Sequence, residues 1–223
     1  MSVNPQAPIR FIHIPKCGGS SVYKTIEHAL ELVGLMSLRM RGDPAANSSI
    51  SKPGISFYHG HCWADETGIP EADSARTFTI LRDPIDRVIS LANHAFNGKQ
   101  CSLPAEFKKQ AFTMDDLLST RHSCISNLMT KMLGADFVKP SVSQAFDNLL
   151  SLHFFGLLER IDIFPYDFSH AFGIQIDPVM LDNQAKDPKI EVLTRHIEKI
   201  AELNIMDISL YHLAKKEYFR RHA

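Results

Sequence analysis

Short apolar runs at several places along the chain predict the strands of a buried sheet. Two of the runs, Ile9–Ile14 and Phe154–Leu158, are typical of strands covered on both faces, whereas Arg76–Leu81 places its apolar residues among threonines, which also favours a strand. The predicted strands are Ile9–Ile14, Leu35–Met40, Ile55–Tyr58, Arg76–Leu81 and Phe154–Leu158. Each run is short, as expected for strands of a compact α/β protein.

Between these runs, apolar residues recur every three or four positions, which predicts amphipathic helices. One helix follows the first strand, and another follows Arg82, with Asp83 as its cap and Pro84 at its first position. Further helices are predicted at Met114–Ser119, Ser123–Leu133 with Gly134 as its stop, Ser143–Leu152 and Asp167–Phe172, with two more in the tail at 189–220.

Strands that alternate with helices favour an α/β fold with a mostly parallel central sheet flanked by helices. We expect a single domain over residues 1–223, with the helices of 189–220 packed on it. Ligands of such folds bind beyond the carboxyl ends of the strands. The polar residues that follow each predicted strand are therefore the candidates for function.

The composition narrows the class of protein. The net charge is −1 at pH 7, which argues against broad, nonspecific binding of nucleic acid. The four cysteines, at positions 17, 62, 101 and 124, are scattered without a C-x-x-C pair, so we expect reduced thiols and a cytoplasmic location. The sequence shows neither a signal-peptide pattern nor an apolar run long enough to span a bilayer.

The turn after the first strand carries the features of an anion-binding loop. Lys16 supplies a positive charge, Gly18 and Gly19 allow positive φ and close approach of a ligand, and Ser20 and Ser21 supply hydroxyl groups. A helix N-terminus follows, which also favours phosphate. The loop is not a Walker A sequence, because the lysine precedes the glycines instead of following them.

Two further polar clusters come at the ends of predicted strands. Arg82 and Ser90 flank a helix start, and both residue types bind phosphate oxygens well. His59 and His61 follow the third strand, and histidine has a pKa suited to taking a proton from a hydroxyl group. Alternatively, the two histidines are structural, or they bind a metal together with Cys62, although no convincing further ligands are found.

These clusters together resemble the motifs of sulfotransferases that use 3′-phosphoadenosine 5′-phosphosulfate (PAPS). The stretch F-I-H-I-P-K-C-G-G-S-S-V resembles the 5′-phosphosulfate loop of the carbohydrate-modifying, Golgi-type branch, and R-D-P-x-x-R-x-x-S resembles the 3′-phosphate motif. The phrase F-Y-H-G-H resembles the base position of heparan and uronyl 2-O-sulfotransferases. The resemblance implies a P-loop-like fold, PAPS as cosubstrate, no metal, and a hydroxyl acceptor, in particular a carbohydrate.

The resemblance also implies residue roles. Residues 16–21 (Lys16, Cys17, Gly18, Gly19, Ser20 and Ser21) would hold the 5′-phosphosulfate, and Arg82 and Ser90 the 3′-phosphate, with Arg87 in support. His61 would be the catalytic base, with His59 as an orienting or substrate-binding partner and Lys16 stabilising the departing phosphate. Cys17 replaces the family's threonine and so removes one hydroxyl group.

Three later segments extend the resemblance from residue 9 to about residue 219. They are Ser126–Leu133, Phe155–Asp162 and Leu203–Tyr211, the last with the pattern L-N-x-x-D-x-x-L-Y. Because the chain shows no membrane anchor, the resemblance implies a soluble, bacterial member. Two alternatives stay open, namely a nucleotide kinase or NTPase that uses the same loop with ATP and magnesium, and a non-catalytic glycan-binding relative.

Overall fold

A computed structural model describes residues 7–40, 55–61, 75–99, 103, 107, 112–181 and 188–222. The chain divides into two compact units. The first comprises Met1–Leu81 with Asp147–Asp182, and the second comprises Arg82–Phe146 with Asn183–Ala223. The expectation of a single domain over residues 1–223 stays a prediction, and the two units are described one at a time.

The elements follow one another as strands first and then mostly helices. The strands are β1 (Ile9–Ile12), β2 (Met36–Met40), β3 (Ile55–Gly60), β4 (Arg76–Leu81) and β5 (Phe154–Leu157). The helices are α1 (Gly19–Leu32), α2 (Pro84–Phe96), α3 (Met114–Ser119), α4 (Leu128–Gly134), α5 (Val142–Ser151), α6 (Phe164–Phe172), α7 (Thr194–Leu203) and α8 (Ile205–Arg221). Two 3₁₀ turns lie at Ser123–Ile125 and Leu158–Arg160.

The five strands belong to the first unit and form one sheet in the order β2-β3-β1-β4-β5. Every neighbouring pair is parallel. The predicted α/β fold with a parallel central sheet and flanking helices is therefore confirmed. Parallel pairing brings the carboxyl ends of the strands to one edge, where the sequence places its polar clusters.

One face of this sheet is covered by helices α1 and α6. The apolar stripe of α1 buries Val22, Ile26 and Leu30, and each such side chain contributes about 1.5–3 kcal/mol relative to exposure. The core beneath is rich in aromatic residues: Phe11, Phe57, Phe78, Phe154, Phe164, Phe168 and Phe172. This packing fixes α1, and with it the loop that precedes α1, against the ends of β1 and β3.

The second unit is helical in its described part, and α5 begins in it and ends in the first unit. Its core joins α2 and α3 to α7 through buried residues that include Val88, Leu91, Leu117 and Ile200. Helices α2 and α3 start where the sequence predicts, because both have local caps. The Asp83 side chain accepts hydrogen bonds from two backbone N–H groups of α2, and Thr113 forms a capping box with Asp116 in α3.

Several predicted helix bounds differ from the structure. The expected helix Ser123–Leu133 is interrupted, because Asn127 has a left-handed backbone (φ 48°) between a 3₁₀ turn and α4. Gly134 does not stop α4 but belongs to it, and the left-handed residue that ends the helix is Ala135 (φ 55°). In the tail, α7 begins at Thr194, so the first residues of the predicted helical range 189–220, including Ile190, precede the helix.

Candidate active site

The loop between β1 and α1 is shaped by two residues with left-handed backbones. Lys16 has φ 70° and Gly18 has φ 78°, and the N–H of Cys17 between them donates to the carbonyl of Ile14 at 3.3 Å. Alternation of this kind turns successive N–H groups toward one side and forms an anion-binding concavity. The sequence therefore builds the predicted loop with a geometry that suits a phosphate or phosphosulfate.

Helix α1 starts at the end of this loop without a side-chain cap. Gly18 is the cap residue, and its carbonyl accepts hydrogen bonds from the N–H groups of Ser21 and Val22. The earlier N–H groups of the first turn, at Gly19 and Ser20, have no intrahelical acceptor by helix geometry. An anion at this position would satisfy those groups and interact favourably with the helix dipole.

The two loop glycines are required for different reasons. A Cβ atom at Gly18 would overlap the Leu158 side chain and would sit on a left-handed backbone. Gly19 has a helical backbone, so the expectation of positive φ at both glycines is wrong for Gly19. A Cβ atom at Gly19 would instead overlap the imidazole of His13, whose Cγ would lie 2.7 Å away. The second glycine is therefore set by close contact with a histidine.

The loop side chains differ in what they can offer a ligand. Lys16 is half-buried and Ser20 is exposed, whereas Ser21 is buried. The side chain of Cys17 is buried as well, so it is not available to a ligand at the surface. The Lys16 and Ser20 side chains are thus the donors of this loop that solvent can reach.

Strand register brings three histidines to the carboxyl edge of the sheet beside this loop. Phe11 of β1 pairs with His59 of β3, and the N–H of His13 donates to the carbonyl of Gly60 at 2.8 Å. Since side chains alternate between faces, residues 11, 13, 59 and 61 all point to the face covered by α1. The rings of His13 and His61 then meet edge to face, with centroids 4.8 Å apart.

His59 is buried and bound to helix α1. It is 1% exposed, its Nε2 lies 3.0 Å from Glu27 Oε1, and the Tyr23 ring stacks on it at 4.3 Å. Glu27 Oε1 also accepts a hydrogen bond of 2.7 Å from the Ser37 hydroxyl. These contacts favour an orienting role for His59 over direct contact with a substrate. Neither Glu27 nor Tyr23 was identified from the sequence, because both look like ordinary helix-surface residues there.

His61 lies just beyond the last residue of β3 and is exposed at the edge of the sheet. Although the residue is accessible, the protein around its ring still removes enough water to lower the pKa of His61. The positive charge of Arg39, on β2, adds to this effect. The imidazole is therefore neutral at neutral pH and can accept a proton.

His13 lies within the loop motif, where the sequence alone assigns it no role. Its ring is almost completely buried, with 8% of the residue exposed. Burial, followed by the charges of His61, His59, Arg39 and Lys16, lowers the pKa of His13 to about 3. The signal that could have identified it is a polar residue near the end of an apolar strand, three positions before the lysine.

Arg82 and Ser90 belong to the second unit, so the structure groups the loop with His59 and His61 but not with these two residues. Arg82 is the residue after β4 in sequence and is half-buried. Ser90 is half-buried on α2, three positions after Arg87, and therefore lies on the same side of that helix as Arg87. The predicted roles of Arg82 and Ser90 stay predictions.

Arg87 is 0% exposed and anchors the interior of the second unit. Its Nη1 donates a hydrogen bond of 3.0 Å to the carbonyl of Cys124, while Nε and Nη2 have no partner among the described residues. A side chain held in this way supports α2 from within. The supporting role in phosphate binding that the motif implies for Arg87 stays a prediction.

The segment with the pattern L-N-x-x-D builds the junction of α4 with α8. Both carboxylate oxygens of Asp207 accept backbone N–H groups, from Met129 at 3.1 Å and Thr130 at 2.8 Å. The Asn204 amide accepts from the N–H of Asn127, and the Asn127 side chain accepts in return from the N–H of Asp207. These motif residues therefore have a structural role in the described unit.

Other parts of the described chain offer weaker candidates. A cavity of about 390 Å³ in the second unit contains no predicted site residue, and two of its cations, Arg195 and Lys199, are paired with Asp115 and Glu202. Within the described ranges, no group of three or more His, Cys, Asp or Glu residues could hold a metal ion. Cys62, the third residue of the alternative metal site, lies outside those ranges.

Comparison with known proteins gives distant relatives. No family model matches the chain. The chain is 24% identical over 192 residues to heparan-sulfate 6-O-sulfotransferase 1 of Cricetulus griseus and to that of Mus musculus. The match covers 71% of this chain but 48% and 47% of the two relatives, so the chain spans about half the length of the curated relatives it matches. The likeness supports at most a distant relationship to carbohydrate sulfotransferases.

In the part of the chain that the structure describes, no helix combines the length and the apolar character needed to cross a membrane.

Proposed function

We propose that this protein is a sulfotransferase that transfers a sulfuryl group from PAPS to a hydroxyl group of a carbohydrate. One observation carries the proposal: an anion-binding loop and a solvent-accessible, neutral histidine lie at the same edge of one parallel sheet. The distant likeness to heparan-sulfate 6-O-sulfotransferase 1 supports the same reaction class. A kinase would need a Walker loop, which the order of lysine and glycines does not provide.

The loop fits the 5′-phosphosulfate group of PAPS. The left-handed turn at Lys16 and Gly18 and the uncapped start of α1 together form a concave site rich in N–H donors. Lys16 and Ser20 add an ammonium and a hydroxyl group, and the backbones of Cys17 and Gly19 complete the loop. Arg82 and Ser90 would hold the 3′-phosphate, an assignment that rests on the motif in the sequence.

PAPS supplies an activated sulfuryl group, and the protein supplies the base and the positive charge. In the proposed step, the acceptor oxygen forms a bond to sulfur while the bond from sulfur to the 5′-phosphate oxygen breaks. The acceptor proton passes to His61, which is neutral because its pKa is lowered. Lys16 stabilises the charge that develops on the departing phosphate. His59, held by Glu27, orients the end of β3 that carries His61.

The acceptor class is inferred from two resemblances. The phrase F-Y-H-G-H resembles 2-O-sulfotransferases of heparan and uronyl residues, whereas the matched relatives are heparan-sulfate 6-O-sulfotransferases. Both resemblances name carbohydrate hydroxyl groups, and this shared chemistry is what we propose. Heparan sulfate is accordingly the first acceptor to test.

The first test is calorimetric titration with 3′-phosphoadenosine 5′-phosphate (PAP), compared with ATP plus magnesium. We expect metal-independent binding of PAP that weakens about ten- to hundred-fold in Arg82→Ala, because a charge-assisted hydrogen bond is lost. Arg220→Ala, at an exposed arginine of α8, is the matched control and should bind PAP as the wild type does. Preference for ATP with magnesium would refute the proposal.

The second test separates binding from chemistry. His61→Ala should lower turnover with heparan sulfate about 10²–10⁴-fold while leaving PAP affinity nearly intact, because a general base contributes in that range. Lys16→Ala should lower turnover and weaken PAP binding together, since the ammonium contacts the phosphate before and during transfer. Full turnover in His61→Ala would show that another group takes the proton.

A further inference from the structure

The His13 ring lies between the proposed phosphosulfate loop and the proposed base. On one side, its Cδ2 and Nε2 edge lies so close to Gly19 that a Cβ atom there would overlap it. On the other side, the ring meets His61 with centroids 4.8 Å apart and planes inclined at 63°. The ring is therefore in contact with both the start of α1 and the proposed base.

Packing alone does not explain a histidine at this position. The ring stacks on Phe11 at 5.5 Å and is nine-tenths buried, so an apolar side chain would fill the same space. Neither ring nitrogen of His13 belongs to the buried side-chain atoms that lack a hydrogen-bond partner, so no desolvation penalty is assigned to this ring. The ring nevertheless carries an N–H group between the loop and His61, which an apolar residue of the same shape would not offer to a ligand.

Resting on the proposed function, we propose that His13 is a further catalytic residue, whose neutral imidazole donates a hydrogen bond from Nε2 to an oxygen of the sulfuryl group. The contact stabilises the sulfuryl group on PAPS and strengthens as charge shifts during transfer. His13 keeps its proton throughout, the acceptor proton passes to His61, and the bond balance of the transfer is unchanged.

The surroundings of His13 keep the ring neutral, as this role requires. The groups around it are Lys16 from the loop, Arg39 from β2, and His59 and His61 from β3. Added positive charge on His13 would be disfavoured by burial and by these neighbours, so one N–H is present at any pH well above 3. A neutral ring also does not compete with His61 for the acceptor proton.

The decisive comparison uses two nucleotides that differ by the sulfuryl group alone. His13→Phe keeps a ring of similar shape but has no N–H, and His13→Gln keeps a donor without the ring. We expect His13→Phe to weaken PAPS binding about ten-fold in calorimetry while PAP binding changes less than about three-fold, because PAP lacks the contacted group. His13→Gln should recover part of the PAPS affinity.

Turnover with heparan sulfate provides the second readout. Removing a hydrogen-bond donor that stabilises developing charge typically lowers kcat about 10²–10³-fold. We therefore expect His13→Phe to lower kcat about a hundred-fold without shifting the pH profile of turnover. His170→Gln, at an exposed histidine of α6 in the same unit, is the control and should behave as the wild type.

Three outcomes would overturn the inference. Equal PAPS and PAP losses in His13→Phe would make His13 part of the nucleotide site or of the fold. Unchanged PAPS affinity and turnover would remove the proposed contact altogether. A wild-type protein that binds neither PAP nor PAPS would overturn the proposed function, and this inference with it.

Discussion

Gly19→Ala tests the geometry of the site without changing any polar group. The added Cβ atom would overlap Cδ2 and Nε2 of His13 and would lie 2.7 Å from its Cγ. Those atoms belong to a ring packed between Phe11 and His61, so the ring cannot simply rotate into solvent. Either His13 or the start of α1 must move.

The expected change in the free energy of unfolding follows from two opposing effects. Overpacking a well-packed site costs about 1–3 kcal/mol. Alanine gains up to about 1 kcal/mol over glycine within a helix, and less at the first position, because its unfolded chain is less flexible. We therefore expect Gly19→Ala to lower the free energy of unfolding by about 1–2 kcal/mol. We also expect weaker PAP binding, since the loop and the helix start shift together.

The assay is urea denaturation of the wild type, Gly19→Ala, His13→Ala and the double variant. If the overlap causes the loss, removing the ring must remove it, so the two substitutions should couple by at least about 1 kcal/mol in a double-mutant cycle. Gly134→Ala is the matched control, because it is also a helical glycine but a Cβ there meets its nearest neighbours at 3.6–3.8 Å. It should be neutral or slightly stabilising.

The reasoning fails if Gly19→Ala is as stable as the wild type and binds PAP equally well. It also fails if Gly19→Ala is unstable but additive with His13→Ala, because the clash would then lie elsewhere. Either result would mean that the close approach of the ring to α1 is not maintained in solution.

Three further predictions concern charge and caps. Arg39→Gln should raise the pKa of His61 and move the acid limb of turnover to higher pH; an unchanged His61 titration by NMR would contradict this. The pKa of His13 is lowered to about 3 in the folded protein, so below pH 6.5 the unfolded chain takes up a proton at His13 and the folded protein does not. The free energy of unfolding therefore decreases as the pH is lowered. Between pH 6.5 and 5 the wild type should lose about 2 kcal/mol more than His13→Phe, and equal losses in denaturant titrations would refute the assignment. Asp207→Ala leaves two buried N–H groups of α4 without acceptors and should cost about 2–4 kcal/mol in urea denaturation, whereas the exposed control Asp162→Ala should cost little; similar losses would contradict the capping role.

The sequence predicts best where the signals are local. Strand β4 and helix α3 have the bounds expected from their apolar patterns. The start of α2 is also as predicted, because Asp83 and Pro84 satisfy its first turn without help from distant residues. The left-handed backbone of Gly18 is predictable for the same reason, whereas that of Lys16 has no glycine to indicate it.

The failures come from contacts between residues far apart in the chain. Asn127 interrupts the predicted helix because its N–H donates a hydrogen bond to the side chain of Asn204, nearly 80 positions later. No local sequence pattern indicates that partner. The difference between His59 and His61 is of the same kind. His59 and His61 look equivalent in sequence, but in the structure Glu27 contacts His59, whereas His61 lies at the exposed edge of the sheet.

The register of the strands determines which side chains meet at the candidate site. Because Phe11 pairs with His59, the next residue of the same face on each strand, His13 and His61, become neighbours at the sheet edge. A shift of one residue in either strand would turn its histidine to the opposite face, away from α1 and the loop. The apolar residues that fix the register, such as Phe11 and Phe57, therefore determine the geometry of the proposed chemistry as much as the histidines do. A core substitution that weakens this pairing should lower turnover more than nucleotide binding, since the loop depends on β1 and α1 whereas the base depends on β3.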